Sequence, residues 1–241
     1  MIKLSDRLQV IANLINKGQT MADIGTDHGF LPLYLFEREI SPKVILADIS
    51  KGSLQKAIDN VEEKACKEED NTSAFQFRLG NGIEILGAGE VDVVVIAGMG
   101  GLLMTQILGS DLEKSKSFKK IILQPRNAPG KLRYWLLNNG FQIVSENLVR
   151  EGKYICEILE VEPCSHLLTL NGTEDDIEFE VPVSLLIGND AITVEFIKRK
   201  LNTELNILEN LQKAWEIDQV KVEKINQRIC YLQKLLKYEV K

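Results

Sequence analysis

Residues 21–30, with the sequence MADIGTDHGF, combine the residue types best suited to holding a ligand. An apolar start, the acidic Asp23 and two glycines four positions apart, Gly25 and Gly29, predict a strand that turns tightly into a helix. Such a turn lets a ligand approach bare backbone. About twenty residues after Gly29, the apolar run VILA ends in Asp48, and an acid at such a strand tip commonly binds the two hydroxyls of a ribose.

The spacing of the glycines separates two classes of ligand. The pattern D-x-G-x-D-x-G over residues 23–29 is not the G-x-G-x-x-G fingerprint of dinucleotide-binding enzymes, so a dehydrogenase is the least favoured enzyme. The pattern resembles the first motif of class I methyltransferases, acid-x-G-x-G-x-G, with Asp27 at the usual middle glycine. That resemblance implies S-adenosylmethionine, which has no pyrophosphate and presents an ammonium and a sulfonium that Asp27 does not repel. The alternative is an ordinary strand-turn-helix of a parallel sheet.

Two further strand ends suit the same ligand. Gly80-Asn81-Gly82 follows a predicted third strand, where class I methyltransferases place a polar residue that hydrogen-bonds the adenine amino group, and Asn81 can do so. The apolar run 91–97 leads into Gly98-Met99-Gly100-Gly101, without the Asn/Asp-Pro-Pro-aromatic motif of enzymes that methylate amino groups. The glycines here leave space for a flat base to slide edge-on towards the cofactor. Bare turns made for close packing are the alternative at both positions.

The elements that position these residues alternate along the chain as strands and helices. The strands are predicted at 20–25, 43–48, 75–79, 91–97 and 120–125, with an antiparallel hairpin of 141–145 and 153–161 at the end. The helices are predicted to begin at Ser5, Leu31, Ser53 and Gly130, the first ending at Gly18 and the third near Glu69, before an exposed turn at 68–71. The pattern predicts the α/β class, with a Rossmann-like sheet that is mostly parallel and has an antiparallel last strand.

From Thr193 the apolar residues follow the three-four spacing of a coiled coil, interrupted near 216–219. One continuous helix would leave its apolar stripe in water, so we predict a helical coiled-coil hairpin, with dimerisation as the other use of the stripe. The expected division is a ligand-binding domain at 1–162, a wrapping segment or linker at 163–192, and the C-terminal hairpin at 193–241. A monomer or a weak homodimer through the C-terminal helices is expected.

Length and composition indicate a soluble globular protein. The 241 residues are 44% hydrophobic and 27% charged, which suits one sizeable domain and an appendage. No apolar stretch approaches the roughly 18 residues of a membrane span, and the N-terminus lacks a signal-peptide pattern. The cysteines Cys66, Cys156, Cys164 and Cys230 are scattered, and the histidines are few. This pattern predicts no metal site, and it predicts reduced thiols in the cytoplasm.

The charge is distributed unevenly along the chain. The formal net charge is −6, of which residues 1–192 contribute −9 and residues 193–241 contribute +3. A basic tail favours a polyanion lying on it, whereas a solvated helix face is the simpler explanation. Charge alone favours the simpler explanation.

Several motifs together resemble those of one known family. They are Leu4-Ser5-x-Arg7-Leu8, the run 22–32, Ala47-Asp48, Gly80-Asn81-Gly82, the run 97–101 and Gln124-Pro125. They resemble the bacterial tRNA (adenine-22-N1)-methyltransferases, and the likeness spans nearly the whole chain, including the tail. The pair D-I-G-x-D-H and A-G-M-G-G is more specific than the cofactor motif alone. The resemblance implies a class I methyltransferase fold and methyl transfer from S-adenosylmethionine to N1 of adenine-22 in the D-arm region of tRNA.

The resemblance also implies roles for individual residues. Cofactor-binding residues are expected at Asp23, Gly25, Asp27, Gly29, Asp48, Ile49, Asn81, Gly82, Ala97, Gly98 and Met99. Substrate-binding residues are expected at Arg7, Gly100, Gly101, Arg126, Lys198, Arg199, Lys221 and Lys224. Lys200, Lys213 and Arg228 are further candidates for phosphate contacts, which would make tRNA binding sensitive to salt.

Asp27 and His28 are the expected catalytic residues. N1 of adenine has a free in-plane lone pair, so its attack on the methyl group requires positioning and no strong base. The product is cationic, and a nearby carboxylate stabilises the developing charge. Asp27 is assigned that role, with His28 holding the cofactor or the base. The alternative is that both residues cap the loop backbone.

Two other functions stay open on the sequence alone. An enzyme that uses the same cofactor on a small molecule or a protein gains support from the acidic residues 1–192. A non-catalytic scaffold that recruits a partner through its tail belongs to another class. Failure to bind S-adenosylmethionine would support the scaffold.

Overall fold

The computed structural model describes residues 2–64, 74–165, 170, 172–188, 190–213, 216 and 218–238. The chain forms two compact units, residues 1–171 and 172–241. The expected division into three parts, with a separate segment at 163–192, remains a prediction.

The first unit is built on a seven-stranded sheet. Its strands are β1 Met21–Ile24, β2 Val44–Asp48, β3 Phe75–Leu79, β4 Val93–Met99, β5 Lys120–Pro125, β6 Phe141–Glu151 and β7 Tyr154–Pro163. Their order across the sheet is β3-β2-β1-β4-β5-β7-β6. Strands β1 to β5 are parallel, and β7 runs antiparallel to both of its neighbours. The predicted α/β sheet, mostly parallel with an antiparallel end, is confirmed.

Helices cover both faces of this sheet. They are α1 Asp6–Asn13, α2 Phe30–Glu37, α3 Lys51–Lys64, α4 Gly101–Gly109, α5 Leu112–Ser117 and α6 Pro129–Asn138, with a 3-10 turn at Gly82–Ile85. Successive residues of a strand point to opposite faces. Val93 and Val95 of β4 therefore pack in the layer that contains α1, α2 and α3, whereas Val94 and Ile96 pack in the layer that contains α4 and α6. Burial on both faces explains the nearly continuous apolar run of β4.

The order of the strands reverses beside β1. The chain passes from β1 outward to β2 and β3, and β4 then returns to the other side of β1. Open α/β sheets bind ligands in the crevice at the carboxyl ends of the strands at such a point. Asp23, Asp48 and Gly98 all lie at or near these ends, so the fold brings the predicted site residues to one edge.

The first helix is shorter than predicted. It begins after Ser5, as expected, but ends at Asn13 and not at Gly18. The N–H groups of Leu14 and Ile15 bond to carbonyls three residues back, at 3.1 and 3.2 Å, so the chain tightens into a 3-10 turn and leaves the α-helical path.

The third helix starts earlier than predicted. It begins at Lys51, so the predicted start at Ser53 is wrong. Ser50 caps the helix by accepting the N–H of Ser53 on its hydroxyl at 3.3 Å. Serine oxygens of this kind satisfy the unpaired N–H groups of a first turn. The predicted end near Glu69 and the predicted turn at 68–71 lie outside the described residues.

A buried ion triad fastens α6 to the hairpin of β6 and β7. Arg133 of α6 is buried, with its Nε 2.6 Å from Oε1 of Glu146 and an Nη 2.6 Å from Oε2 of Glu157. Burial by itself lowers the pKa of Arg133, but the two carboxylates outweigh burial and raise it. The hairpin is therefore held against the helix by charge as well as by apolar packing.

The second unit is helical. It contains α7 Ile177–Glu180, a 3-10 turn at Val183–Gly188, α8 Ala191–Gln212 and α9 Gln219–Tyr238. Helices α8 and α9 pack against each other. Arg228 of α9 donates to Oε1 of Glu204 on α8 at 2.9 and 2.7 Å, and Leu232 is fully buried. The predicted pairing of two C-terminal helices is confirmed, while coiled-coil geometry remains a prediction.

Candidate cofactor and substrate site

Between β1 and α2 the backbone enters the left-handed region three times. The φ angle is +79° at Gly25, +47° at Asp27 and +68° at Gly29, and the step at Asp27 is strained for a residue with a side chain. A Cβ on Gly29 would lie 2.8 Å from Cδ2 of Leu46, so this glycine lets the turn pack directly on β2. The N–H of Gly25 donates to the carbonyl of Ala47 at 2.8 Å. The predicted tight strand-to-helix turn is therefore present.

Asp23 is the buried acid of this turn. Its Oδ2 accepts the hydroxyl of Thr26 at 2.8 Å. Burial raises the pKa of Asp23 to about 6, while the Thr26 hydrogen bond and the charge of Arg7 oppose that increase. A cation bound beside the turn would favour the ionised carboxylate, which suits the cationic cofactor expected from the sequence.

Asp48 ends β2 next to two exposed apolar side chains. Its Oδ1 accepts the N–H of Ser50 at 2.7 Å, and this hydrogen bond holds the carboxylate in one orientation. Ile49 is 72% exposed and Leu79 is 55% exposed. Leu79 is the register partner of Asp48 in the sheet, so a carboxylate and an apolar surface lie side by side. The sequence did not single out Leu79, because it belongs to an alternating strand.

The turn after β3 brings Asn81 to the same edge. The N–H of Gly80 donates to the carbonyl of Asp48 at 3.0 Å, and Nδ2 of Asn81 lies 3.2 Å from Oε1 of Glu84. This contact orients the amide of Asn81. A Cβ on Gly82 would lie 2.8 Å from Cγ2 of Ile107, so packing against α4 already requires a glycine there.

The end of β4 lies between the glycine turn and open space. Gly98 has a φ of +76°, and the pairing with β5 shifts between Ala97 and Met99, so Gly98 forms a bulge. Its N–H donates to Oε1 of Gln124 at 3.1 Å, and a Cβ placed on it would meet no atom within 4 Å. A Cβ on Gly25 would overlap Cε of Met99. Met99 therefore faces the glycine turn, whereas Gly98 faces an opening.

The following two glycines are required by packing. A Cβ on Gly100 would lie 2.9 Å from Oδ1 of Asn127, and a Cβ on Gly101 would lie 2.6 Å from the carbonyl oxygen of Ala128. The N–H of Gly101 also donates to the carbonyl of Asn127 at 3.0 Å. Among Gly98, Gly100 and Gly101, only Gly98 borders open space. That a base occupies this space, and that Gly100 and Gly101 contact a substrate, remain predictions.

A cavity of about 570 Å³ opens beside Gly98. It is lined by Arg7, Gly98, Gln124, Pro125, Arg126, Glu151, Tyr154, Ile155 and Cys156. Arg7 of α1 donates from an Nη to Oε1 of Gln124 at 3.0 Å, and its backbone N–H donates to Oε2 of Glu151 at 3.1 Å. The volume of the cavity is typical of sites for small molecules and cofactors. The structure thus brings together two predicted substrate residues, Arg7 and Arg126.

Sequence reasoning missed the four cavity residues that come from the hairpin of β6 and β7, which are Glu151, Tyr154, Ile155 and Cys156. Tyr154 is 63% exposed, Glu151 presents a carboxylate, and burial raises the pKa of the Cys156 thiol. The alternating pattern of this hairpin predicts strands but no site. A tyrosine directly after the turn at Gly152 was the one available signal.

Asp27 and His28 lie on the exposed side of the glycine turn. Oδ2 of Asp27 is 3.5 Å from Nε2 of His28, and Oδ1 is 3.6 Å from Nζ of Lys56 on α3. All three side chains are about half exposed. Lys56 was not predicted, because only the fold brings α3 beside the turn. The catalytic role of Asp27 and His28 remains a prediction.

Most basic residues predicted to contact phosphates have acidic partners in the second unit. The pairs are Arg199 with Glu195, Lys221 with Asp218, Lys200 with Glu180, Lys213 with Glu209 and Arg228 with Glu204. Lys224 lines a cavity of about 550 Å³ together with Asp175, Asp176, Glu178 and Glu223. Lys198 is exposed on α8. Phosphate binding at the paired residues remains a prediction.

Comparison with known proteins identifies the family. A family profile described as a methyltransferase domain matches residues 4–159. The tRNA (adenine(22)-N(1))-methyltransferase of Bacillus subtilis strain 168 is 30% identical to this chain over 220 residues, which are 91% of this chain and 90% of that relative. The chain belongs to this methyltransferase family.

Solved structures extend the likeness over nearly the whole methyltransferase. Streptococcus pneumoniae Sp1610 in complex with S-adenosyl-L-methionine has a TM-score of 0.82 at 29% identity, covering 97% of this chain and 100% of that one. M. capricolum TrmK in complex with S-adenosyl-homocysteine has a TM-score of 0.78 at 25% identity, covering 97% of this chain and 98% of that one. Coverage of this extent includes the C-terminal helices as well as the sheet.

In the described part of this methyltransferase, no group of three or more His, Cys, Asp or Glu side chains is arranged to hold a metal ion. None of the helices in the same residue ranges has the length and apolar character needed to cross a membrane.

Proposed function

We propose that this methyltransferase transfers the methyl group of S-adenosylmethionine to N1 of adenine-22 in tRNA, in the cytoplasm. The observation that carries the proposal is the position of the Gly98-Met99 segment. Met99 contacts the glycine turn after β1, while Gly98 lines the cavity of about 570 Å³. One short backbone segment therefore lies between a cofactor-type turn and a base-sized cavity, and methyl transfer requires such proximity.

The residues at the carboxyl ends of β1, β2 and β3 fit S-adenosylmethionine. Asp48 offers a carboxylate to the ribose hydroxyls, and the amide of Asn81 suits the adenine amino group. The exposed side chains of Ile49 and Leu79 offer an apolar surface to the adenine ring. S-adenosylmethionine supplies a methyl group activated by a sulfonium. Asp23 and the glycine turn stabilise the positive charge at the methionine end.

The cavity positions the base that receives the methyl group. A neutral adenine exposes the N1 lone pair once it is unpaired and swung out, so the protein needs to orient it and not to deprotonate it. Tyr154 presents an exposed ring on which a base stacks, and Gly98 has no side chain to block the edge of that base. The bulged backbone at Gly98 stays in place through its hydrogen bond to Gln124.

A carboxylate in the cavity favours the cationic product. Glu151 is held by the backbone N–H of Arg7 at 3.1 Å and lines the cavity. Charge that develops on the methylated base is stabilised by a carboxylate that is already oriented. Glu151 therefore joins Asp27 as a candidate for this role, and the two are distinguished by Glu151→Gln and Asp27→Asn, only one of which is expected to lower kcat.

The tRNA backbone is neutralised by the exposed Lys198 and by arginines beside the cavity, Arg7 and Arg126. Further contacts with the tRNA backbone come from Arg199, Lys221 and Lys224, where phosphate competes with their acidic neighbours. We expect a monomer or a weak homodimer through α8 and α9, which sedimentation over a range of concentrations measures.

The test is methyl transfer from labelled S-adenosylmethionine to unmodified tRNA with adenine at position 22, beside the same tRNA with guanine there. Label on the first tRNA alone is expected, with 1-methyladenosine found after nuclease digestion. Equal label on both tRNAs would show that the methylated nucleotide is not adenine-22. No label despite cofactor binding would favour a small-molecule or protein acceptor, and no cofactor binding would favour the scaffold.

A further inference from the structure

His28 and Phe30 form an exposed aromatic stack on the outer side of the glycine turn. Their ring centroids are 5.3 Å apart and their planes differ by 10°. The side chain of His28 is 45% exposed, and Phe30 is 38% exposed although residues 31–35, which follow it in α2, are all buried. Phe30 is thus the residue of this apolar helix segment that faces solvent, and burial in the core does not account for it.

Helix α3 borders this stack with polar and basic side chains. Lys56, Asn60 and Lys64 are spaced four residues apart, which places them on one helical face. Asn60 donates to the carbonyl of His28 at 3.0 Å and so fixes the backbone beneath the stack. Nζ of Lys64 lies 5.3 Å from the centroid of the Phe30 ring.

The charges on this surface leave a positive group beside the rings. Asp27 faces both Lys56 and His28, at 3.6 and 3.5 Å, so its negative charge is compensated locally. The described contacts of Lys64 are with the neutral amide of Asn60 and with the Phe30 ring. Lys64 therefore offers its charge next to an exposed aromatic face.

We infer that His28, Phe30 and Lys64 form a stacking surface for an unpaired base of the RNA substrate and for the phosphate next to it. This inference rests on the proposed function. Every nucleobase has a face that stacks on an aromatic ring, and the flexible Lys64, whose Nζ lies over the Phe30 ring, can swing aside to neutralise the phosphate that adjoins a stacked base. Presentation of a paired adenine for N1 methylation leaves its former partner unpaired, so the substrate itself supplies such a base.

Substitutions at Phe30 separate stacking from bulk. Phe30→Leu keeps an apolar side chain of similar volume but removes the aromatic face, whereas Phe30→Trp keeps the face. Phe30→Leu and Phe30→Ala are expected to weaken binding of unmodified tRNA roughly tenfold at fixed salt, and Phe30→Trp to stay within about twofold of the wild type. Calorimetry with S-adenosylmethionine is expected to give nearly the same affinity for all four proteins.

A Phe30→Leu protein that binds tRNA as tightly as the wild type would overturn the stacking surface. A loss of cofactor affinity equal to the loss of tRNA affinity would also overturn it, because Phe30 would then only support the turn. A wild-type protein that binds no tRNA would overturn the proposed function as well, whereas a wild-type kcat/KM for tRNA in Phe30→Leu would overturn this inference alone.

Lys64→Ala tests the phosphate contact. It is expected to reduce the slope of log Kd against log salt concentration by roughly 0.7 to 0.9. Lys17→Ala is the matched control, because Lys17 is an exposed lysine with a carboxylate neighbour, Glu39, at 3.7 Å, near the opposite edge of the sheet. The control is expected to keep the wild-type slope, and equal slopes for the wild type and Lys64→Ala would contradict the phosphate contact.

Discussion

Cε of Met99 occupies the place where a side chain on Gly25 would begin. The end of β4 and the glycine turn can touch because residue 25 has no Cβ. Gly25→Ala is therefore expected to push the flexible Met99 into the cofactor site and to strain a backbone with a φ of +79°. Binding of S-adenosylmethionine should weaken roughly tenfold or more, corresponding to about 1.4 kcal/mol, as measured by titration calorimetry.

Gly18 provides the control for this substitution. It has a φ of +91°, and a Cβ added to it would meet no atom within 4 Å, so Gly18→Ala introduces backbone strain without a clash and away from the site. The double variant Gly25→Ala/Met99→Ala restores space and should recover part of the affinity. Wild-type affinity in Gly25→Ala would show that the cofactor does not use this turn.

Asp48 is predicted to bind the ribose of the cofactor. Its Oδ1 also accepts the N–H of Ser50 at 2.7 Å, so two roles must be separated. Asp48→Asn keeps an acceptor for Ser50 but loses the charge, and Asp48→Ala loses both. Each is expected to weaken cofactor binding by about 1.5–3 kcal/mol, since hydrogen bonds to a charged group are in that range. If Asp48→Asn bound the cofactor normally, the ribose would have to be held elsewhere.

The buried carboxyl of Asp23 should make stability depend on pH. Its folded pKa of about 6 lies above the ordinary value of 3.8, so the folded protein binds this proton more tightly than the unfolded chain does. As the pH rises from about 4 to about 6, the free energy of unfolding should fall by up to about 3 kcal/mol through this group. Above that range its contribution stays constant.

Asp23→Asn isolates this effect. Asparagine cannot ionise and still accepts the hydroxyl of Thr26. The free energy of unfolding of Asp23→Asn minus that of the wild type should therefore grow between about pH 4 and about pH 6, as measured by urea unfolding in the absence of cofactor. A difference that is flat across this range would mean that Asp23 ionises as an ordinary carboxyl.

Arg133 is expected to be the costliest ionic residue to remove. Arg133→Met removes the guanidinium that Glu146 and Glu157 contact in the interior, and breaking buried ion pairs in this way typically destabilises by about 3–5 kcal/mol. The triple variant Arg133→Met/Glu146→Gln/Glu157→Gln should regain part of the loss. Lys17→Met, at an exposed pair, should change the free energy of unfolding by less than about 1 kcal/mol. If Arg133→Met lowered the free energy of unfolding as little as Lys17→Met does, the ion triad would not stabilise the fold.

Gln124 is expected to affect turnover more than cofactor binding. Its Oε1 accepts both the N–H of Gly98 at 3.1 Å and the guanidinium of Arg7 at 3.0 Å. Gln124→Met keeps the volume but removes the acceptor of both the Gly98 N–H and the Arg7 guanidinium, so kcat should fall by roughly tenfold while the affinity for S-adenosylmethionine changes little. Gln142→Met, on the exposed side of β6, is the control. A Gln124→Met enzyme with normal kcat would show that the bulge needs no anchor.

The sheet could be predicted because its strands are buried on both faces. The runs 44–48 and 93–97 are apolar nearly throughout, and glycines or acids stand at their ends, so both the strands and the edge that binds ligands follow from the sequence. Helix ends were less predictable. Ser50 and Ser53 are equally good caps by type, and only the path of the chain after β2 decides between them.

The cavity could not be predicted, because its residues meet through tertiary structure. Arg7, Gln124 and Glu151 carry no local pattern that shows their contact, although Arg7 and Gln124 stood out through the family motifs. The role of the basic residues in the tail remains a prediction. Arg199 and Lys221 are charged in any reading of the sequence, but partners one helical turn away compensate them.

The contacts of Arg7 also determine when the cavity can form during synthesis. Arg7 is separated from Gln124 by 117 residues and from Glu151 by 144 residues. The N-terminal helix therefore leaves the ribosome long before its partners exist, and at roughly 5–20 residues per second it waits for several seconds or more. The glycine turn and its neighbouring strands are translated earlier than the hairpin, so a nascent chain can assemble the cofactor turn before it has a cavity for the base.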